Sequence, residues 1–169
     1  MRADIGGAFE VARVGVGFGW TWVDADLGPL TEALGWQITE SRPLSATLAT
    51  TLQIDNQAAL VTGGGDEIKW ITVCVTDAGE EDDPETVEFV ADAFTELSNR
   101  LIDQFGAPTT SRRGSEPEMC WERPGVSLEL SNATDILFLR FVNPQYQARM
   151  NAIPAMRDEY LCGVCRLSW

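Results

Sequence analysis

The stretch that decides the fold runs from residue 83 to 108 and reads DPETVEFVADAFTELSNRLIDQFGAP. Its apolar side chains recur every three or four residues, as they do on the buried face of an amphipathic helix. Asp83 can cap the first turn, Pro84 suits the first helical position, and Gly106 favours an end. The spacing therefore predicts a helix over 84–105. Its buried stripe is predicted to comprise Val87, Val90, Phe94, Leu97, Leu101 and Phe105.

Six β-strands are predicted around this helix. Apolar and polar residues alternate across 48–55, which is the period of a half-buried strand. Strands at 58–62 and 68–76 follow, joined across Gly63-Gly64-Gly65-Asp66, a glycine cluster typical of a hairpin loop. A polar loop follows the helix. Beyond it, three more strands are predicted at 119–123, 126–130 and 136–142.

Two shorter helices are predicted at the N-terminus. The first begins near 8–13 and is expected to end in the glycine-rich segment 15–19. Asp24 or Asp26 can cap the second, and Gly35 is well placed to terminate it. Strands that lie between helices in this order favour an α+β fold with an antiparallel sheet.

The length of 169 residues is typical of one domain. We therefore predict a single α+β domain over 1–169, with its core at about 9–142 and a C-terminal extension at 143–169. The sheet is expected to have about five or six strands, with the helices packed on one face.

The chain carries 26 acidic and 12 basic residues, for a formal net charge of −14, and it has no histidine. The negative charge disfavours nucleic-acid binding and favours capture of a basic protein. The missing histidine removes the commonest general base and every Ser-His or Cys-His catalytic pair. We therefore predict a protein that is not an enzyme and needs no cofactor.

No apolar run is long enough to span a membrane: the longest, at 136–139, is cut by Arg140. Charged residues near the N-terminus also interrupt any export signal there. The sequence thus predicts a cytoplasmic protein that binds no membrane.

Two motifs leave alternatives open. Cys162-x-x-Cys165 can be an incidental pair of packed thiols, a disulfide, or a redox or metal site. The acidic run Glu80-Glu81-Asp82-Asp83 lacks the spacing of an EF-hand loop. It is either a solvated turn that caps the helix or a docking strip for basic side chains.

Tryptophan-containing segments and one helix end resemble a known family. They are Gly19-Trp20-Thr21-Trp22 with Asp26, Leu30 to Gly35-Trp36, the helix end Leu101 to Pro108, and Cys120-Trp121. The resemblance is to small actinobacterial proteins with a domain of unknown function, often encoded near type VII secretion toxins. Their layout is similar to that of immunity factors for NAD-hydrolysing necrotising toxins. The resemblance implies no catalytic residues.

Together these features predict an immunity or inhibitor protein that occludes a cognate secreted toxin through an acidic surface. The alternatives are a chaperone or scaffold for a secreted partner and a small enzyme that uses carboxylates or the C-terminal dithiol. If the acidic surface serves only solubility, the binding face is expected among the aromatic residues Tyr146, Tyr160 and Trp169. The predicted partner-binding residues are Asp66, Glu67, Glu80, Glu81, Asp82, Asp83 and Tyr146.

Overall fold

A computed structural model describes residues 1–42, 45–64 and 67–152. It contains four α-helices, one short 3-10 helix at Asp24–Asp26, and eight strands. The helices are α1 (Ile5–Gly17), α2 (Leu27–Leu34), α3 (Pro84–Phe105) and α4 (Pro144–Asn151). The strands are β1 (Gln37–Arg42), β2 (Ser45–Ala49), β3 (Ala58–Gly64), β4 (Glu67–Cys74), β5 (Thr110–Arg112), β6 (Glu118–Arg123), β7 (Val126–Asn132) and β8 (Leu137–Val142).

All eight strands form one antiparallel sheet with the order β1-β2-β3-β4-β8-β7-β6-β5. Each half of the sheet is a meander of strands that are consecutive in sequence, and the two halves meet where β4 pairs with β8. The predicted α+β class with an antiparallel sheet is confirmed. The predicted number of five or six strands was too small.

The core lies between one face of the sheet and helices α1 and α3, which pack on β7 and β8. On the two central strands, Ile71, Val73, Leu139 and Phe141 point into this core and are almost fully buried. Alternate residues of the same strands point to the opposite face, as the pleat requires. There α4 lies over the sheet, with the Tyr146 ring 5.6 Å from the ring of Trp70. The prediction that the helices pack on one face of the sheet was therefore wrong for α4.

Helix α3 has the bounds predicted from its sequence. The Asp83 side chain accepts a hydrogen bond from the Thr86 amide, Pro84 is in the first turn, and Gly106 follows the last residue. Most of the predicted stripe is buried, including Phe94 at 8% exposure. Val87 is an exception, because its side chain is 38% exposed.

The first helix differs from its prediction because it continues through the glycine-rich segment to Gly17. Gly15 is buried in α1, and a Cβ atom there would overlap the ring of Phe141. The glycine at this position therefore permits close packing of helix on sheet, instead of ending the helix. Sequence periodicity cannot distinguish the two roles.

Two predicted strand assignments were also incomplete. A strand was predicted at 48–55, but β2 ends at Ala49 and residues 50–55 form a loop, in which Leu52 and Ile54 are nonetheless buried. Strand β1 was missed because every residue in it is exposed, so it has no alternating pattern. Strand β5 was missed because it has three residues, all exposed, within the predicted polar loop.

Candidate functional site

The exposed face of α3 is strongly acidic. Glu85, Glu88 and Asp92 are exposed on it, and the preceding turn adds the exposed residues Glu80 to Asp82. The only basic residue in the helix is Arg100, whose guanidinium binds Glu96 at 2.7 Å. The first half of α3 therefore presents carboxylates that no cation of the same helix neutralises.

Asp83 has a different role from its acidic neighbours. Its carboxylate accepts hydrogen bonds from both the amide and the hydroxyl of Thr86, each at 2.9 Å. These bonds hold the pKa of Asp83 below its usual value. The side chain is thus engaged in capping the helix, which supports the capping interpretation for this one member of the acidic run.

Glu67 and Tyr146 are brought together at the other end of β4. The Glu67 carboxylate forms an ion pair with Arg149 of α4, and Asn143 donates to it at 3.5 Å. The Tyr146 ring lies between two cations, 5.2 Å from the Lys69 ammonium and 5.9 Å from the Arg149 guanidinium. These contacts fix α4 against the start of β4.

The predicted partner-binding residues consequently form two separate groups. Glu67 lies at the first residue of β4, whereas the turn at 80–83 follows its last residue. A strand of eight residues is roughly 26 Å long, so one small contact cannot include both groups. Asp66, Cys162, Cys165, Tyr160 and Trp169 lie outside the described residues.

A cleft of about 550 Å³ opens beside Glu67. Its walls come from the loop between α1 and α2, the turn between β6 and β7, and the start of α4. The volume is in the range of small-ligand sites. The described residues that line it are Trp20, Thr21, Trp22, Val23, Glu67, Gly125, Asn143, Pro144 and Gln145.

Residues 18–23, between α1 and the 3-10 helix, form a tryptophan loop that lines this cleft and has a strained backbone. Trp22 has a φ of +63°, a conformation that costs a non-glycine residue about 1–2 kcal/mol. The buried carboxylate of Asp26 compensates, because it accepts hydrogen bonds from the amides of Thr21 and Trp22 at 2.8 and 2.7 Å. It also accepts from the Thr21 hydroxyl at 2.6 Å.

The two indoles of this loop are held in a stack. Their ring centroids are 4.4 Å apart and nearly parallel, with 13° between the planes. The Trp22 indole donates to the Gly125 carbonyl at 2.8 Å, and the Trp20 indole donates to the Gly15 carbonyl at 2.7 Å. Trp22 is buried in the core at 6% exposure, whereas Trp20 is partly exposed. The cleft was not predicted from the sequence, although the W-x-W motif and Asp26 lie in the segment that forms it.

A partly buried ion pair lies on the sheet face opposite α1 and α3. The Arg140 guanidinium is 3.6 Å from the Glu129 carboxylate, and Gln147 of α4 donates to Glu129 at 3.3 Å. Burial raises the pKa of Glu129, Arg140 opposes this effect, and Glu118 adds to it. Burial also raises the pKa of the neighbouring Cys120 to about 12, so this thiol has almost no thiolate at neutral pH.

We expect Glu129→Gln to change how stability depends on pH. The folded pKa of Glu129 lies above its unfolded value, so the unfolded chain loses this proton first as the pH rises. Wild-type stability should therefore fall relative to Glu129→Gln as the pH rises above the ordinary glutamate pKa of about 4.3. Urea unfolding of both proteins at a series of pH values measures the difference. If the difference in unfolding free energy between the two proteins stayed constant with pH, or if the wild type gained stability relative to the variant as the pH rose, the raised pKa of Glu129 would be wrong.

The part of the chain that the structure describes contains no cluster of three or more Cys, Asp or Glu side chains arranged to hold a metal ion. None of its helices combines the length and the apolar character required to cross a bilayer.

Comparison with known proteins places the chain in a family. A model of a family of unknown function (DUF6301) matches residues 6–143, from the first turn of α1 to the N-cap of α4. This chain belongs to that family. The matched range contains α3, the sheet and the cleft-forming tryptophan loop, and it ends at Asn143 in the cleft wall. No curated protein matches the chain.

Comparison with solved structures also gives one match. It is the crystal structure of a DUF4309 family protein (YjgB) from Bacillus subtilis, with a TM-score of 0.42 and 11% sequence identity. The alignment covers 83% of this chain and 95% of the other.

Proposed function

We propose that this protein is an immunity or inhibitor protein that binds a basic cleft of a cognate secreted toxin through the acidic face of α3. The choice of a toxin as partner comes from the resemblance to small actinobacterial proteins encoded near type VII secretion toxins. The site itself supports a narrower statement, which is that α3 offers a rigid acidic surface to a basic protein.

The proposal rests on the difference between the two faces of α3, one of which is apolar and buried while the other is acidic and exposed. Phe94, Leu97 and Leu101 anchor one face in the core, so the position of the helix is fixed. Glu85, Glu88 and Asp92 recur at intervals of three and four on the exposed face. The backbone of a fixed helix needs no ordering when a partner binds, which favours affinity, and its carboxylates favour fast association with a basic partner.

A charge-reversal experiment tests whether this face binds. The variant Glu85→Lys/Glu88→Lys/Asp92→Lys is compared with Glu10→Lys/Glu40→Lys/Glu116→Lys, which changes the net charge equally at exposed sites outside α3. The partner to be tested is the proposed cognate toxin. We expect the α3 variant to associate about tenfold or more slowly at low ionic strength, with the difference shrinking at high salt.

Two outcomes would count against the proposal. If both triple variants slow association equally, the acidic residues act through net charge alone, and α3 is not the binding face. If wild-type protein forms no complex with the toxin on gel filtration and does not restore growth on co-expression, the immunity function is wrong.

The second candidate function is a chaperone or scaffold for a secreted protein. The same acidic face supports it, because charge complementarity does not depend on whether the partner is inhibited. The co-expression experiment separates the two: a scaffold forms the complex but leaves the partner's activity and toxicity intact.

A further inference from the structure

We propose that the cleft beside the tryptophan loop is a binding site for an arginine side chain presented by a peptide or protein. This site is distinct from the acidic face of α3. The inference does not depend on a toxin being the partner.

The charge of the cleft selects a cation. Among the described residues that line it, Glu67 is the only one with a charged side chain. The other described lining side chains are aromatic, aliphatic, hydroxyl or amide groups. An anionic ligand is disfavoured, because both the Glu67 carboxylate and the net charge of −14 on the chain would repel it.

Glu67 retains the capacity to bind a second cation. Among the described residues, Arg149 pairs with Oε1, while the contact at Oε2 is a long one of 3.5 Å from the Asn143 amide. A carboxylate has about four acceptor positions, so these contacts leave room on Oε2. The Glu67 side chain is 31% exposed, which makes it accessible and keeps its desolvation incomplete.

The cleft walls favour guanidinium over ammonium. Trp20 is partly exposed in the cleft and is fixed by its stack on the buried Trp22 and by its indole hydrogen bond, so it supplies an aromatic surface that does not rearrange. Guanidinium is planar, weakly hydrated and stacks on aromatic surfaces, whereas an ammonium is compact and strongly hydrated. The exposed amide of Gln145 adds a further acceptor at the rim.

The strain at Trp22 is consistent with a preformed site. Three hydrogen bonds to Asp26 and one from the Ile68 amide to the Trp22 carbonyl hold the loop in a conformation that tryptophan rarely adopts. Strained backbone that is held by many contacts is concentrated at binding sites. A wall that is already ordered reduces the entropy lost when a side chain binds.

The test is a titration followed by NMR of the tryptophan indole N–H signals of the full chain. The probes are acetyl-Gly-Arg-Gly-amide and the same peptide with citrulline or lysine in place of arginine. We expect saturable shifts of the Trp20 and Trp22 signals with the arginine peptide. Citrulline, which has the shape without the charge, should bind at least about tenfold more weakly. Lysine should be intermediate.

Two variants separate loss of binding from loss of folding. Glu67→Gln should weaken the arginine peptide about tenfold or more, because it removes the only described charge in the cleft. Arg149→Gln breaks the same ion pair but keeps the carboxylate, so binding should persist or strengthen. Absence of saturable shifts with arginine, equal responses to citrulline or lysine, or equal losses in both variants would overturn the proposal. None of these outcomes bears on the acidic face of α3.

Discussion

Replacing Phe94 with alanine should lower the free energy of unfolding by about 3–5 kcal/mol, the usual cost of emptying a buried aromatic site. Phe94 projects from α3 into the core and is 8% exposed. Its removal leaves a cavity between the helix and the sheet that the fixed backbone cannot fill. Urea unfolding followed by far-UV circular dichroism measures the loss.

Val87 offers the matched control on the same helix. Its side chain is 38% exposed although it falls within the predicted apolar stripe. Val87→Ala should change stability by less than about 0.5 kcal/mol, as is usual for surface positions. If both variants lost the same amount, the helix would pack through a different face from the one described.

Removing the carboxylate of Asp26 should cost about 2–3 kcal/mol. Asp26→Ala leaves two backbone amides without their acceptor, and one of them belongs to the buried Trp22. A buried donor without a partner costs about 1–3 kcal/mol. The backbone of Trp22 also loses the contacts that hold its positive φ, so the indole stack should loosen.

The measurement pairs urea unfolding with near-UV circular dichroism of the tryptophans. Asp24→Ala is the control, since Asp24 lies in the same short 3-10 helix but is exposed. It should leave both signals close to those of the wild type. A near-UV spectrum of Asp26→Ala identical to the wild type would show that other contacts suffice to hold the tryptophan loop.

The sequence predicted best where local rules determine the structure. The ends of α3 follow from the cap at Asp83 and from Gly106 and need no knowledge of the rest of the molecule. The hairpin between β3 and β4 follows similarly from its glycines. In both cases the decisive interactions join residues that are close in sequence.

Predictions failed where distant contacts override local pattern. Residues 50–55 alternate like a strand, but carboxylates from other parts of the chain accept hydrogen bonds from their backbone and hold it in a loop. The amide of Gln53 donates to Asp4 at 2.9 Å and that of Asp55 donates to Asp77 at 2.6 Å. No spacing rule reveals such partners. The role of Gly15 was also not predictable from local pattern. It allows α1 to pack closely on Phe141, which lies on β8.

The candidate sites show the same division. Exposure of the acidic run before α3 was predicted from its composition, whereas the pairing of Glu67 with Arg149 depends on where α4 lies. The cleft was not predicted because its walls come from segments near residues 20, 67, 125 and 144. Only the folded sheet brings these segments together.

The junction of β4 with β8 has a further consequence for the cleft. Thr72 and Arg140, which face each other across it, are 68 residues apart, while the other strand pairs join neighbours in sequence. Closing so long a loop carries the largest entropic cost in the sheet. The Trp22 carbonyl accepts from Ile68 in one meander, and its indole donates to Gly125 in the other. The tryptophan loop is therefore hydrogen-bonded to both meanders. The cleft can form only after β4 and β8 have paired and brought the two meanders together.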